Sequence, residues 1–185
     1  MYRVVQMFTL VFPLLTSGLS LILILKLKYF KRLDIPLDLG FTLKGERIFG
    51  NNKTFKGVFV MTSVSIFTSI ILYIGYKNGF DLFINPIFSN TPVRIGIIYA
   101  FAYISGELIN SFIKRQMNIS AGQVTSSKYK YLQTFFDLSD GIIMTEVVLL
   151  INFPAFINEI LIAGLVGICL HYLTDIFMKR LNLKL

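Results

Sequence analysis

Apolar positions run through this chain in blocks too long for a soluble fold, and charged positions fall mostly between the blocks. Met7 to Leu25 is 19 residues without a charge, and Gly57 to Tyr76 adds 20 more between Lys56 and Lys77. Each run reaches the length that crosses a hydrocarbon core, about 20 residues. Three further blocks carry charges inside them: Ile95 to Ile113 holds Glu107, Phe135 to Phe153 holds Asp137, Asp140 and Glu146, and Ile160 to Met178 holds His171 and Asp175. The pattern predicts an all-α polytopic membrane protein, a single domain over residues 1–185 with about five transmembrane helices. The first block is longer than the apolar core of a signal peptide and no small-residue cleavage site follows it, so it reads as a retained helix.

Charge then orients the bundle. The net charge is +8, and its distribution matters more than its size. With five spans, one side carries eight basic residues between Lys26 and Lys56, four between Lys114 and Lys130 and three between Lys179 and Lys184, against Arg3, Lys77 and Arg94 on the other. The rule that positive loops stay inside predicts that the loop from Tyr29 to Gly57, the loop from Gln116 to Thr134 and the C-terminus face the cytoplasm. Such a basic face suits membrane lipids with anionic headgroups or phosphorylated metabolites, and no nucleic acid is implied. One cysteine, Cys169, and one histidine exclude an intramolecular disulfide and argue against a zinc site.

The charges inside the blocks share one depth. Glu107 lies about 10 Å before Lys114 at the helical rise, Asp137 and Asp140 fall in the first turns of the fourth block, and His171 and Asp175 near the exit of the fifth. Charges within a bilayer cost roughly 2.5–3.5 kcal/mol each and face a bundle interior or a wet cavity. A single polar cavity on the cytoplasmic side, shared by all five groups, is therefore expected. Spacing agrees: Glu107, Ser111 and Lys114 form one helical stripe, Asp137 and Asp140 stand one turn apart, and His171, Asp175 and Lys179 form a third stripe. Two like charges on adjacent turns repel unless a cation joins them, which marks Asp137 and Asp140 as candidate metal ligands, with Glu107 as the third.

The first loop carries Lys44, Arg47, Lys53 and Lys56 among Gly40, Gly45, Gly50 and Gly57, a composition that suits an anion bound by cations and backbone N–H groups. It is no Walker A loop, because two extra residues separate Gly50 from Lys53 and a membrane span follows. Phosphate transfer between two polyanions would need such cations, a metal to bridge oxygens, and little covalent help.

These residues carry a resemblance. The run P-L-D-L-G-F-T-L-K-G-E-R-I-F-G-N-N-K-T-F-K-G from Pro36, the segment G-E-L-I-N-S-F-I-K-R ending at Arg115, the pair in F-D-L-S-D-G at Asp137 and Asp140, and the ending from His171 together resemble CDP-archaeol synthases, in the wider group of CDP-diacylglycerol synthases. The resemblance implies a five-helix enzyme that moves CMP from CTP to a lipid phosphate, releases pyrophosphate and uses Mg²⁺. It further implies that Asp137 and Asp140 bind the metal, that Lys114 and Arg115 contact phosphate beside Ser111, and that Lys53, Thr54 and Lys56 form the nucleotide loop; on charge alone Arg47 joins them as a counter-charge for phosphate. The chain departs from the family pattern at Asn51 and Asn52, where an acidic residue and Gly are usual, and at Glu107, where Asp is usual. The acceptor could be a diether or a diacyl lipid phosphate, and a homologue that binds CTP or anionic lipid without turnover is the alternative to an enzyme. A transporter fits less well, since no internal repeat is visible and polarity is confined to one leaflet.

Overall fold

In a computed structural model, which describes residues 2–120, 123 and 130–180, the five blocks are five helices: α1 (Tyr2–Lys26), α2 (Phe55–Gly75), α3 (Pro92–Gln116), α4 (Lys130–Asn152) and α5 (Ile157–Arg180). Local signals set their ends. Thr54 caps α2 by accepting from the Gly57 N–H at 3.3 Å, and Pro92 opens α3 where a missing N–H costs nothing. Among the described residues, four helices are long and apolar enough to cross a membrane on length and composition alone. The fifth is α4, diluted by Asp137, Asp140 and Glu146, and it begins at Lys130 rather than near Phe135.

Each helix packs on the next in sequence, and α5 closes back on α1, so the five form a ring. Between membrane helices close packing and small residues must supply the attraction, because lipid tails are as apolar as leucine. Gly96 brings α3 onto α2 so tightly that a Cβ there would lie 2.4 Å from the Ile66 Cα, and Gly106 brings α3 onto α4, with a Cβ falling 2.3 Å from the Asp140 carbonyl oxygen. Thr16 and Thr68 add a 2.7 Å hydrogen bond between α1 and α2. Leu10, Phe88, Ile95, Tyr99, Leu149 and Ile160 form the buried centre, while Phe67, Leu165 and Ile151, more than 60% exposed, present the outward faces that a bilayer would cover.

The loop between α1 and α2 contains a small hairpin, β1 (Thr42–Leu43) paired antiparallel with β2 (Glu46–Arg47). Lys44 and Gly45 turn it with φ of +54° and +86°, the two positive values that a two-residue hairpin loop demands. The loop lies over the end of the ring where α3 finishes and α4 begins: Arg115 Nε donates to the Phe49 carbonyl at 3.4 Å. The basic end expected from the charge count is thus assembled, although Lys128 and Lys184, which belong to that count, lie outside the described residues.

Candidate active site

The loop is organised around a carboxylate of its own. Asp38 is 4% exposed and accepts from the backbone N–H groups of Gly40, Phe49 and Gly50 at 3.2, 3.0 and 2.9 Å. Arg47 grips it with two nitrogens, Nε to Oδ2 at 3.2 Å and Nη2 to Oδ1, and reaches Asn51 Oδ1 with Nη1 at 2.9 Å. Burial alone would raise the Asp38 pKa; the guanidinium and the three N–H groups outweigh it and hold the carboxyl well below the usual range. The N–H groups of Gly40 and Gly50, expected from the sequence to meet an external anion, are thus taken by Asp38 of the loop itself. Asn51 keeps the acceptor role that an acid would have at that position.

From this frame the remaining loop side chains are delivered to the helices. Lys53 Nζ meets Glu107 Oε2 of α3 at 2.6 Å. Lys56, only 2% exposed, reaches Asp34 Oδ2 at 2.8 Å. Thr54 is occupied as the α2 cap.

The acid pair stands on the seam of α3 and α4. One nitrogen, Asn110 Nδ2, donates to Asp137 Oδ1 at 2.8 Å and to Asp140 Oδ2 at 2.7 Å. Lys114 Nζ adds contacts to both oxygens of Asp137, at 2.9 and 2.8 Å, and the Gly141 N–H donates to Asp140 Oδ1 at 2.6 Å. The like charges are thus joined by the Asn110 amide, and the Lys114 ammonium offsets the charge of Asp137. Gly106 makes this possible, since only without a Cβ can α4 come so near. Ser111 is buried beside them on α3, as is Arg115, whose Nη1 has no hydrogen-bond partner among the described residues.

Inside the ring is a cavity of about 230 Å³. Its mouth holds Lys53, Glu107, His171 and Asp175, and its walls are apolar residues of α1, α3, α4 and α5. His171 is fixed by a 2.8 Å bond from Nδ1 to the Leu138 carbonyl, which leaves Nε2 3.5 Å from the Tyr103 hydroxyl; Asp175 pairs with Lys179 at 2.8 Å. Here the sequence reading needs correction. It expected one cavity shared by five charged groups, but only Glu107, His171 and Asp175 line it, whereas Asp137 and Asp140 sit on the adjoining seam. Glu107 and Asn110 are three residues apart on one face of α3, and their partners separate them: Lys53 holds Glu107 at the cavity, while Asn110 turns to the acid pair.

Among the described residues no three His, Cys, Asp or Glu side chains converge as a ligand set. The two carboxylates do converge on one nitrogen, and Mg²⁺ commonly uses only one or two carboxylates, completing its shell with waters and substrate phosphates. The seam therefore fits Mg²⁺ through Asp137 and Asp140, with Glu107 held beside them by Lys53. Sequence reasoning gave no role to Asp38, Asn110 or Tyr103. Asn110 was detectable: it lies one turn from both Glu107 and Lys114.

A helical membrane protein that gathers lysine, arginine and paired carboxylates at one end of an apolar cavity belongs to the class of membrane-embedded enzymes that act where a phosphorylated, water-soluble substrate meets an amphiphile. The comparison with known families narrows the class: the chain belongs to the CarS-like family, CDP-archaeol synthase, which matches residues 32–185. It is similar along its whole length to the CDP-archaeol synthase of Pyrobaculum calidifontis, at 28% identity over 100% of this chain and 98% of the relative. The CDP-archaeol synthase of Methanococcus maripaludis strain C6 is 29% identical over 80% of each chain, and that of Pyrococcus furiosus 32% identical over 47% of this chain and 48% of its own. No solved structure is a significant match. As a member of this family the protein is a CTP-dependent lipid-phosphate cytidylyltransferase.

Proposed function

We propose that the protein transfers CMP from CTP to the phosphate of an archaeal diether lipid, forming CDP-archaeol and pyrophosphate, at an active site that faces the cytoplasm. A phosphate oxygen of the lipid attacks the α-phosphorus of CTP; the new P–O bond forms as the bond to the β-phosphate bridging oxygen breaks, and pyrophosphate leaves with that oxygen. The observation that carries this reading is the acid pair, Asp137 and Asp140, joined on one Asn110 nitrogen and flanked by Lys114 and by Arg115 with its buried, unpartnered Nη1. An unpartnered buried guanidinium nitrogen is costly, and a phosphate oxygen is the natural acceptor for it.

In this reading Asp137 and Asp140 hold Mg²⁺, which would neutralise triphosphate charge and draw electrons toward the leaving pyrophosphate. Lys114 and Arg115 bind phosphate oxygens and orient them. Lys53, paired with Glu107, stands at the cavity mouth where it can shift to an incoming phosphate. The Asp38 and Arg47 frame keeps the loop in register, and Thr54 and Lys56 fix its junction with α2. The apolar cavity behind Lys53 suits a hydrocarbon chain whose phosphate remains at the polar end, which favours a lipid acceptor over a soluble one. Orientation toward the cytoplasm rests on the charge asymmetry of the loops and on the location of CTP.

Purified protein incubated with α-labelled CTP and a panel of diether, diacyl and water-soluble phosphates tests the proposal. Label should enter the diether product in a Mg²⁺-dependent manner. Absence of label in every lipid, with CTP still bound, would make the chain a binding homologue instead.

A further inference from the structure

Tyr103 of α3 lines the cavity beside Lys53, Glu107 and His171. Its ring lies against Gly141 of α4, where a Cβ would fall 2.6 Å from the Tyr103 Cδ2. Glycine on the facing helix thus leaves the room that the ring takes, and the seated ring fixes the direction of its hydroxyl. That hydroxyl stands between two acceptors. Glu107 lies one turn further along the same face of α3, and the Tyr103 O–H faces its carboxylate; on the other side His171 Nε2 is 3.5 Å away. The Leu138 carbonyl can only accept, so the 2.8 Å bond it makes with His171 Nδ1 puts a proton on that nitrogen. The neutral imidazole then offers Nε2 as an acceptor.

Tyr103 has one O–H for these two acceptors. With Lys53 Nζ 2.6 Å from Glu107 Oε2, the carboxylate already has a strong donor, and the hydroxyl is free to serve His171. The 3.5 Å separation is the outer limit of a hydrogen bond, so little holds it there. If Lys53 serves an incoming phosphate, it must leave Glu107, and a partly buried carboxylate then loses its ion-pair partner, a costly step when nothing replaces it. His171 cannot replace it while Nε2 carries a lone pair, whereas the Tyr103 hydroxyl is a donor already at hand. We propose that Tyr103 is a positioning residue that takes over Glu107 when Lys53 departs: its hydroxyl turns from His171 to the carboxylate, so that the lysine is released to the phosphate at lower cost. The inference rests on the reading of Lys53 as a substrate contact and adds to it the residue that makes the resting ion pair easy to open.

Tyr103→Phe keeps the ring on Gly141 and removes only the hydroxyl. Purified protein in detergent is titrated with labelled CTP and with a labelled dialkylglycerol phosphate in a binding assay that needs no turnover, and KM and kcat are measured for both. Lys53→Ala marks the ligand that Lys53 serves. For that ligand Tyr103→Phe should raise Kd and KM by about tenfold, the worth of one hydrogen bond to a charged group. Its kcat should change far less, and the substrate-free variant should melt as the parent does. In a Glu107→Gln background, where no charge is left behind, the same substitution should change Kd by about twofold or less. Unchanged Kd and KM in Tyr103→Phe, with Lys53→Ala binding more weakly than the parent, would overturn the handover and leave the reading of Lys53 intact. A tenfold rise that persists in the Glu107→Gln background would overturn it as well, because the hydroxyl would then act on something other than the carboxylate. If Lys53→Ala alters the binding of neither ligand, the reading of Lys53 fails first, and the handover with it.

Discussion

Arg47 holds Asp38 by two nitrogens, across nine residues of the loop between α1 and α2. The guanidinium fork matches a carboxylate in a way that a lysine ammonium cannot, and the third arm of Arg47 reaches Asn51, next to the residues that lead into Lys53. The arginine expected from its sequence setting to grip CTP is therefore engaged with the loop itself, and its effect on nucleotide passes through the placement of Lys53 and of the Phe49 carbonyl that receives Arg115.

Replacement of Asp38 by Asn should lower both thermal stability and turnover, and Arg47→Lys should restore neither. Because the folded carboxyl titrates below its ordinary value, the stability it contributes is complete above the unfolded pKa of about 3.9 and is lost as pH falls through the folded one. The difference in melting temperature between parent and Asp38→Asn should be constant from neutral pH to about pH 5 and shrink in more acidic buffer. A gap that widens as pH falls would contradict the role given to this carboxylate.

Asp137→Asn and Asp140→Asn should each abolish Mg²⁺-dependent transfer with the protein still inserted and folded. Asn110→Ala removes the shared donor without removing a carboxylate, so turnover should fall less than in either Asp variant, and the Mg²⁺ concentration for half-maximal rate should change. Unchanged Mg²⁺ dependence in all three would remove the ion from this seam.

Gly106→Ala tests the same seam from its backbone. A Cβ only 2.3 Å from the Asp140 carbonyl oxygen forces α3 and α4 apart, and overpacking of this kind costs about 1–3 kcal/mol. The variant should melt lower and lose activity together, while Gly18→Ala, where nothing lies within 4 Å, should not lower the melting temperature.

Much of the fold was legible because membrane length and charge exclusion act on long windows: the five apolar blocks predict α1 to α5 without knowledge of tertiary contacts. The acid pair was legible because its i, i+3 spacing already implies one helical face. What stayed hidden is what a side chain turns toward. Arg47 and Lys56 read as free cations, yet Asp38 and Asp34 of the same loop neutralise them, and pairing within an irregular loop has no periodicity to betray it. The division between cavity and seam was equally hidden, since Glu107 and Asn110 share one face of α3 and are told apart only by their tertiary partners, Lys53 for one and the acid pair for the other.

Topology is checked by single cysteines in a Cys169→Ser background, needed because Cys169 is exposed on α5. Asn52→Cys should react with an impermeant maleimide only after the cytoplasmic side is opened, and Asn78→Cys should react in intact cells. Reaction of Asn52→Cys from outside would invert the proposed orientation.

The pair of Lys53 and Glu107 is the most informative target, because it joins the loop to α3 at the cavity mouth. If Lys53 serves CTP or the lipid phosphate, its bond to Glu107 is a resting contact that substrate displaces, and the two residues should not behave as an isolated ion pair. Lys53→Ala should reduce kcat/KM by about 10- to 150-fold, the worth of one charge-assisted contact, whereas Glu107→Gln should cost less and Glu107→Asp least, since Asp keeps a carboxylate there. A double variant, Lys53→Ala with Glu107→Gln, then discriminates. If the pair is only structural, removal of both partners should recover most of the stability lost by Lys53→Ala and with it the activity; if Lys53 contacts substrate, stability should recover while kcat/KM stays at the Lys53→Ala value. Which KM moves, that of CTP or that of the lipid phosphate, assigns the contact to one substrate.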